Sequence, residues 1–234
     1  MASSRSSEGS APSGGFPRHT FREQDALWAE LLALGDAVVG SLEKCVQAVC
    51  EGRLDLIAEV KEEEEESDRK EVKIEQECLR VLALYEPVAS DLRRLATVLK
   101  VNRDWERVAD LALRVARRVR KLARKHPEIV APEDLKDLAR AVFVHVKASQ
   151  TALKQSDAEA ARKLIAGDQT IDDAYRNVRR GLKEQLAAHA DQLDGWLLLL
   201  NSARNLERIA DHATGIAQAV IFLQEGTIVR HSAK

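Results

Sequence analysis

No proline follows Pro132 in this chain of 234 residues. Proline removes a backbone donor and clashes with the preceding helical turn, so it ends or kinks helices. The roughly 100 residues after Pro132 are instead rich in Ala, Leu, Arg, Lys and Glu, the strongest helix formers. Of the remaining prolines, Pro12 and Pro17 sit in a Ser/Gly-rich start, and Pro87 and Pro127 stand between apolar-periodic segments. A chain punctuated this sparsely folds into a few long helices. The 4% aromatic content is low for an all-β protein. With 45% hydrophobic residues the chain can bury a core. At 32% charge it has no apolar run near the length of a membrane span.

The apolar pattern places six helices. The first starts by Phe21 and carries Leu27, Leu31, Leu34, Val38, Leu42, Cys45 and Val49 on one face, with a break at Gly52. The second runs from about Leu54 to Leu84 and turns at Glu86 and Pro87. The third spans Ala89 to Lys125 and ends at His126 and Pro127. The fourth covers Glu133 to Lys154, with Pro132 where a first turn tolerates proline. Asp157 is the expected N-cap of a fifth, to about Ala187. A turn over His189 to Asp194 leads to the sixth, which Gly226 stops after Gln224.

The chain also repeats itself. The segment LKVNRDWERVAD, residues 99–110, resembles LNSARNLERIAD, residues 200–211, at an offset of 101. Glu106 aligns with Glu207, Arg107 with Arg208, Ala109 with Ala210 and Asp110 with Asp211. The expectation is an all-α protein of two tandem three-helix bundles, residues 21–127 and 128–234, behind a disordered tail of residues 1–20. That tail has no apolar core of a secretory signal, and three cysteines without a CxxC imply no disulfide framework. Both favour the cytoplasm. A net charge of −2 gives no general reason to bind nucleic acid.

Each third helix carries Glu-x-x-x-Asp. Residues four apart share a face, and two like charges there cost a helix roughly 0.2–0.5 kcal/mol unless neutralised. The preceding helix of each repeat offers acids at matching levels. Glu64 with Asp110, and Asp68 with Glu106, are equidistant from residue 87. Asp168 with Asp211, and Asp172 with Glu207, are equidistant from the turn at His189 and Ala190. Adjacent helix axes lie roughly 8–10 Å apart, so each set of four carboxylates can converge. Cations are the economical neutralisers, and all-oxygen ligation suits Mg, Mn or Fe. Asn102, one turn before Glu106, offers another oxygen. The five-Glu run 62–66 otherwise reads as a solvated face. The Arg and Lys residues from Arg114 to Lys125 read as a solvated helix end that complements the helix dipole, with docking of an acidic partner or phosphate groups as the sharper alternative. His145 reads as a packed histidine. His212 points about 100° away from Asp211. Trp105 and Trp196 read as core or interface anchors.

The chain lacks GxxxxGK[ST], HExxH and GxSxG, and it lacks the Glu-x-x-His of ferritin-like di-iron proteins. The residues alone leave three classes open: a metal-binding regulator, a carboxylate-bridged metalloenzyme and a metal-free helical adaptor.

The segments EPVASDLR (86–93), NRDWERVAD (102–110), LERIADH (206–212) and the ending GTIVRH (226–231) closely resemble the PhoU family over roughly residues 20–231. The resemblance implies two similar three-helix bundles and a non-enzymatic negative regulator of the phosphate-starvation response. It implies metal clusters held through E(D)xxxD motifs, with Glu64, Asp68, Glu106 and Asp110 at one site, Asp168, Asp172, Glu207 and Asp211 at the other, and Asn102 at a position where relatives often carry a polar residue. The implied partners are the ATPase subunit of a phosphate ABC transporter, a sensor histidine kinase and a second copy in a homodimer, without membrane insertion. Ala109 and Ala210 stand where the family commonly has Gly, Trp105 where it has Leu, and Leu111 where the first repeat has His.

Overall fold

The computed structural model describes residues 18–229, and side-chain environments from Arg22 onward. It contains six α-helices: α1 Arg18–Glu51, α2 Leu56–Tyr85, α3 Ala89–Lys125, α4 Glu133–Gln155, α5 Ala158–Ala188 and α6 Leu193–Glu225. A short 3-10 turn, Ala190–Gln192, precedes α6. The third helix has the expected bounds, and the others differ at either end by a few residues. The largest difference is at α1, which begins at Arg18, so residues 18–20 are helical rather than part of a tail. The rest of the expected tail, residues 1–17, lies outside the described residues.

The turn signals act as their chemistry dictates. Asp157 caps α5, its carboxylate accepting from the Glu159 and Ala160 amides at 2.9 Å. Gly226 caps α6 at φ 72°. Glycine there is favoured by φ; a Cβ would meet an Arg93 guanidinium nitrogen at 2.7 Å, the mobile end of a long side chain that can swing aside. Glu86 and Ala89 take left-handed φ values of 44° and 48° around Pro87. That reversal folds α3 back along α2.

Helices α1, α2 and α3 contact one another as one bundle, and α4, α5 and α6 as the other. The bundles join through α3 against α6, the most extensive contact between any two helices, and through α1 against α4. Helices α2 and α5 are therefore the outer elements. Arg118 reaches the Asn201 carbonyl at 3.4 Å, and Asp104 reaches His212. The two third helices thus run antiparallel. The buried side chains form one continuous cluster spanning both bundles, with Leu31, Leu34, Leu42, Trp105 and Leu113 on one side and Leu135, Leu153, Leu206 and Ile216 on the other. Among the described residues no helix is long and apolar enough to cross a membrane.

Candidate metal centres on the paired third helices

The hairpin α2–α3 places the first acidic set as its levels predict. Glu64, Asp68, Glu106 and Asp110 lie close enough to act on one another. Crowding by protein atoms, and then the Asp68 and Asp110 carboxylates, hold Glu64 above the usual carboxylate range. Asp68 is raised by the same crowding and by Asp110. Burial raises Glu106, with Asp110 and Asp68 adding to it against Arg107. Each shift means that the ionised form lacks sufficient counter-charge. The cations present are few and lie at the rim: Arg114 Nε donates to Asp110 at 2.8 Å, Arg107 lies 3.2 Å from Glu106, and Arg117 faces Glu64.

Asn102 is 1% exposed and lies behind this set. Its amide nitrogen donates to the Glu71 carbonyl at 2.9 Å and reaches Glu71 Oε1 at 3.4 Å. Its Oδ1 is buried with no hydrogen-bond partner. A buried amide oxygen left unpaired costs on the order of 1–3 kcal/mol. Glu71, not singled out from sequence as a ligand, joins the cluster. Burial raises its pKa first, then Glu75 and Glu106. It lies three residues after Asp68 on α2 and so shares its face, which was the available signal. Asp68, Glu71, Asn102 and Glu106 line an open groove of about 650 Å³ between α2 and α3.

Glu62, Glu65 and Glu66 form a solvated face, while Glu63 is half-buried with its Oε2 unpaired. Glu63 accepts from Lys44 at 2.5 Å, while Glu65 and Glu66 pair with Lys61 and Lys70. The basic end of α3 divides in three. Arg114 and Arg117 face the acids, and Arg118 reaches α6. Arg120, Lys121, Arg124 and Lys125 line a shallow surface depression.

The second set is held differently. Burial, then Asp211 and Asp172, raise Glu207. Asp211, exposed at its tip, is raised by crowding and by Asp168 and Asp172. Among the described residues neither Glu207 nor Asp211 makes an ion pair within 4.0 Å. Asp168 is instead fixed by a relay. His145 Nε2 contacts Thr214 Oγ1 at 3.0 Å, and that hydroxyl donates to Asp168 Oδ1 at 3.0 Å. Burial lowers the His145 pKa, so the ring is neutral near pH 7. His145 is thus packed, as expected, but it also orients an acidic residue. Sequence contains no signal for that, because α4 bears no motif.

His212 Nδ1 bonds Asp104 Oδ1 at 2.9 Å across the seam between α3 and α6. It faces away from the acids of its own helix and ties the bundles together. Trp105 is fully buried and Trp196 is half-buried, stacked on His189.

The donor chemistry therefore suits a hard cation on each side: carboxylates in mutual repulsion and, in the first set, an unpaired amide oxygen. Among the described residues no three His, Cys, Asp or Glu side chains are already closed to ligating spacing. Each set stands on two antiparallel helices that fix its level.

An all-helical tandem repeat with a carboxylate cluster on each outer hairpin defines the class. Residues 31–119 and 135–220 each match the PhoU domain. Phosphate-specific transport system accessory protein PhoU homologs are similar over most of their length. The one from Pseudomonas putida is 32% identical over 89% of this chain and 82% of its own. That from Aquifex aeolicus is 32% identical over 90% and 95%. The crystal structure of PhoU from Pseudomonas aeruginosa superposes with a TM-score of 0.84 at 30% identity, covering 88% of this chain and 99% of that one. The chain belongs to the PhoU family.

Proposed function

We propose that this protein is an accessory regulator of phosphate uptake that also restrains phosphate-starvation signalling, acting by binding partners rather than by catalysis. Family membership carries this reading, since its relatives are named as accessory proteins of the phosphate-specific transport system. The partners we infer are the ATPase subunit of a phosphate ABC transporter and a sensor histidine kinase in the cytoplasm, with the protein present as a homodimer.

The acids supply the device. Glu64, Asp68, Glu106, Asp110 and Asn102 would hold metal on one outer hairpin, and Asp168, Asp172, Glu207 and Asp211 on the other. Bound Mg, Mn or Fe would neutralise the repulsion within each set. It would also fix α2 against α3 and α5 against α6, stiffening the surface that partners read. The absence of a Glu-x-x-His ligand pair agrees with a structural rather than an oxidative role.

Two measurements test this. In a host lacking its own copy, expression of the chain should repress a phosphate-starvation reporter in high phosphate, and a silent reporter response would reject the regulatory role. Elemental analysis of the purified protein should show metal that falls in the Glu106→Ala/Asp110→Ala variant. Unchanged stoichiometry there would reject the first site.

A further inference from the structure

A basic constellation stands beside the first acidic set, sharing Arg107 with Glu106 and Lys100 and Arg103 with the rim of the acidic groove. Where α3 crosses α6, a cavity of about 440 Å³ opens between the two hairpins. Lys100, Arg103, Arg107 and Arg208 line it. Among the described residues its one acid is Asp104, whose Oδ1 lies 2.9 Å from His212 Nδ1. Among the described residues Arg103 and Arg208 have no carboxylate within 4.0 Å, although the Arg208 charge also acts on Glu207 and Asp211. The opposite wall is apolar. Phe222 and Ala219 belong to α6. Ile228 and Val229 follow the Gly226 turn, which brings the chain back over the cavity.

We propose that this cavity binds a small phosphorylated ligand of nucleotide class, independently of the metal sites. Guanidinium groups fit phosphate oxygens with paired hydrogen bonds, which a carboxylate-poor, cation-lined cavity favours. The volume lies in the range of small-molecule sites. Phe222, which already carries Lys100 over its ring at 4.2 Å, offers an apolar surface for the body of the ligand beside its charged end. Gly215 keeps the floor open. A Cβ there would stand 3.2 Å from Asp104 Oδ2, so the carboxylate would have to shift by a few tenths of an ångström.

The test is isothermal titration of the full-length protein with ATP in EDTA, so that no metal can bridge phosphate to the carboxylates. Saturable one-site binding is expected, weakened about tenfold or more in Arg103→Ala and in Arg208→Ala. Both residues are exposed, so unchanged thermal melts should accompany the loss. The Arg179→Ala/Arg180→Ala variant, on the basic outer surface of α5, should bind as the parent does. Tripolyphosphate binding as well as ATP would assign recognition to the phosphate chain alone. A clear preference for ATP would add the apolar wall. Either result supports the site. The proposal fails if neither compound saturates at millimolar concentration, if the cavity variants bind normally, or if the α5 variant loses as much. It also fails if an oligoglutamate peptide competes as well as ATP, since the surface would then be an acidic-partner site.

Discussion

Trp105 shows how one bulky residue is accommodated in the core. Its ring is fully buried, and the space it needs comes from Gly35 on α1. A Cβ on Gly35 would stand 3.0 Å from three atoms of the indole. Gly40, one turn on, has nothing within 4 Å of such a Cβ. The same substitution should therefore change sign between the two positions. Gly40→Ala should stabilise by about 0.5–1 kcal/mol through helix propensity. Gly35→Ala should destabilise by about 1–2 kcal/mol, because overpacking a rigid buried ring outweighs that gain. Urea unfolding measures both. Trp105→Leu in the Gly35→Ala background should recover stability, and additive effects would refute the contact. The cysteines offer a second check. Burial pushes the Cys45 thiol up to about 12 and Cys78 to about 11, while Cys50 is only partly buried. Native protein should thus react with a disulfide reagent at Cys50 alone, the other two following only on unfolding. Fast labelling of Cys45 would contradict its place in the core.

Single helices carry the tension of the acidic sets. On α6 Glu207 and Asp211 lie one turn apart, and no cation holds either among the described residues within 4.0 Å. Glu207→Gln should accordingly raise the melting temperature of metal-free protein, by about 0.2–0.5 kcal/mol of stability, while weakening metal uptake. A lower melting temperature would mean that the carboxylate makes a contact worth more than the repulsion. The helix ends are more ordinary. Asp157→Ala removes the cap of α5 and should cost about 1 kcal/mol. Helix bounds were legible because caps, Pro87, Pro127 and Gly226 act within a few residues of themselves. The acid levels were legible for a related reason: in a hairpin, equal distance from the turn means equal height. Glu71 was passed over because stripe position alone does not separate a residue facing α3 from a solvated neighbour.

For the molecule as a whole, the decisive element is the seam between α3 and α6. Two tandem bundles could have been separate bodies, but here one core spans both. Calorimetry should therefore show one cooperative transition, with van't Hoff and calorimetric enthalpies equal. Two resolved transitions would show that the seam is weaker than each bundle. Local periodicity, the repeat and the charge placement determined from sequence the helices, their pairing within each hairpin and the two acidic sets. These depend on contacts set by helix geometry and turn position. Only the tertiary structure decided what crosses between bundles. Asp104 with His212 is 108 residues apart, and Arg118 reaches the Asn201 carbonyl 83 residues away. The cation-lined cavity belongs to the same class. Such contacts follow from how two finished surfaces meet. That packing depends on side-chain shape along the whole seam and leaves no periodic trace in either helix.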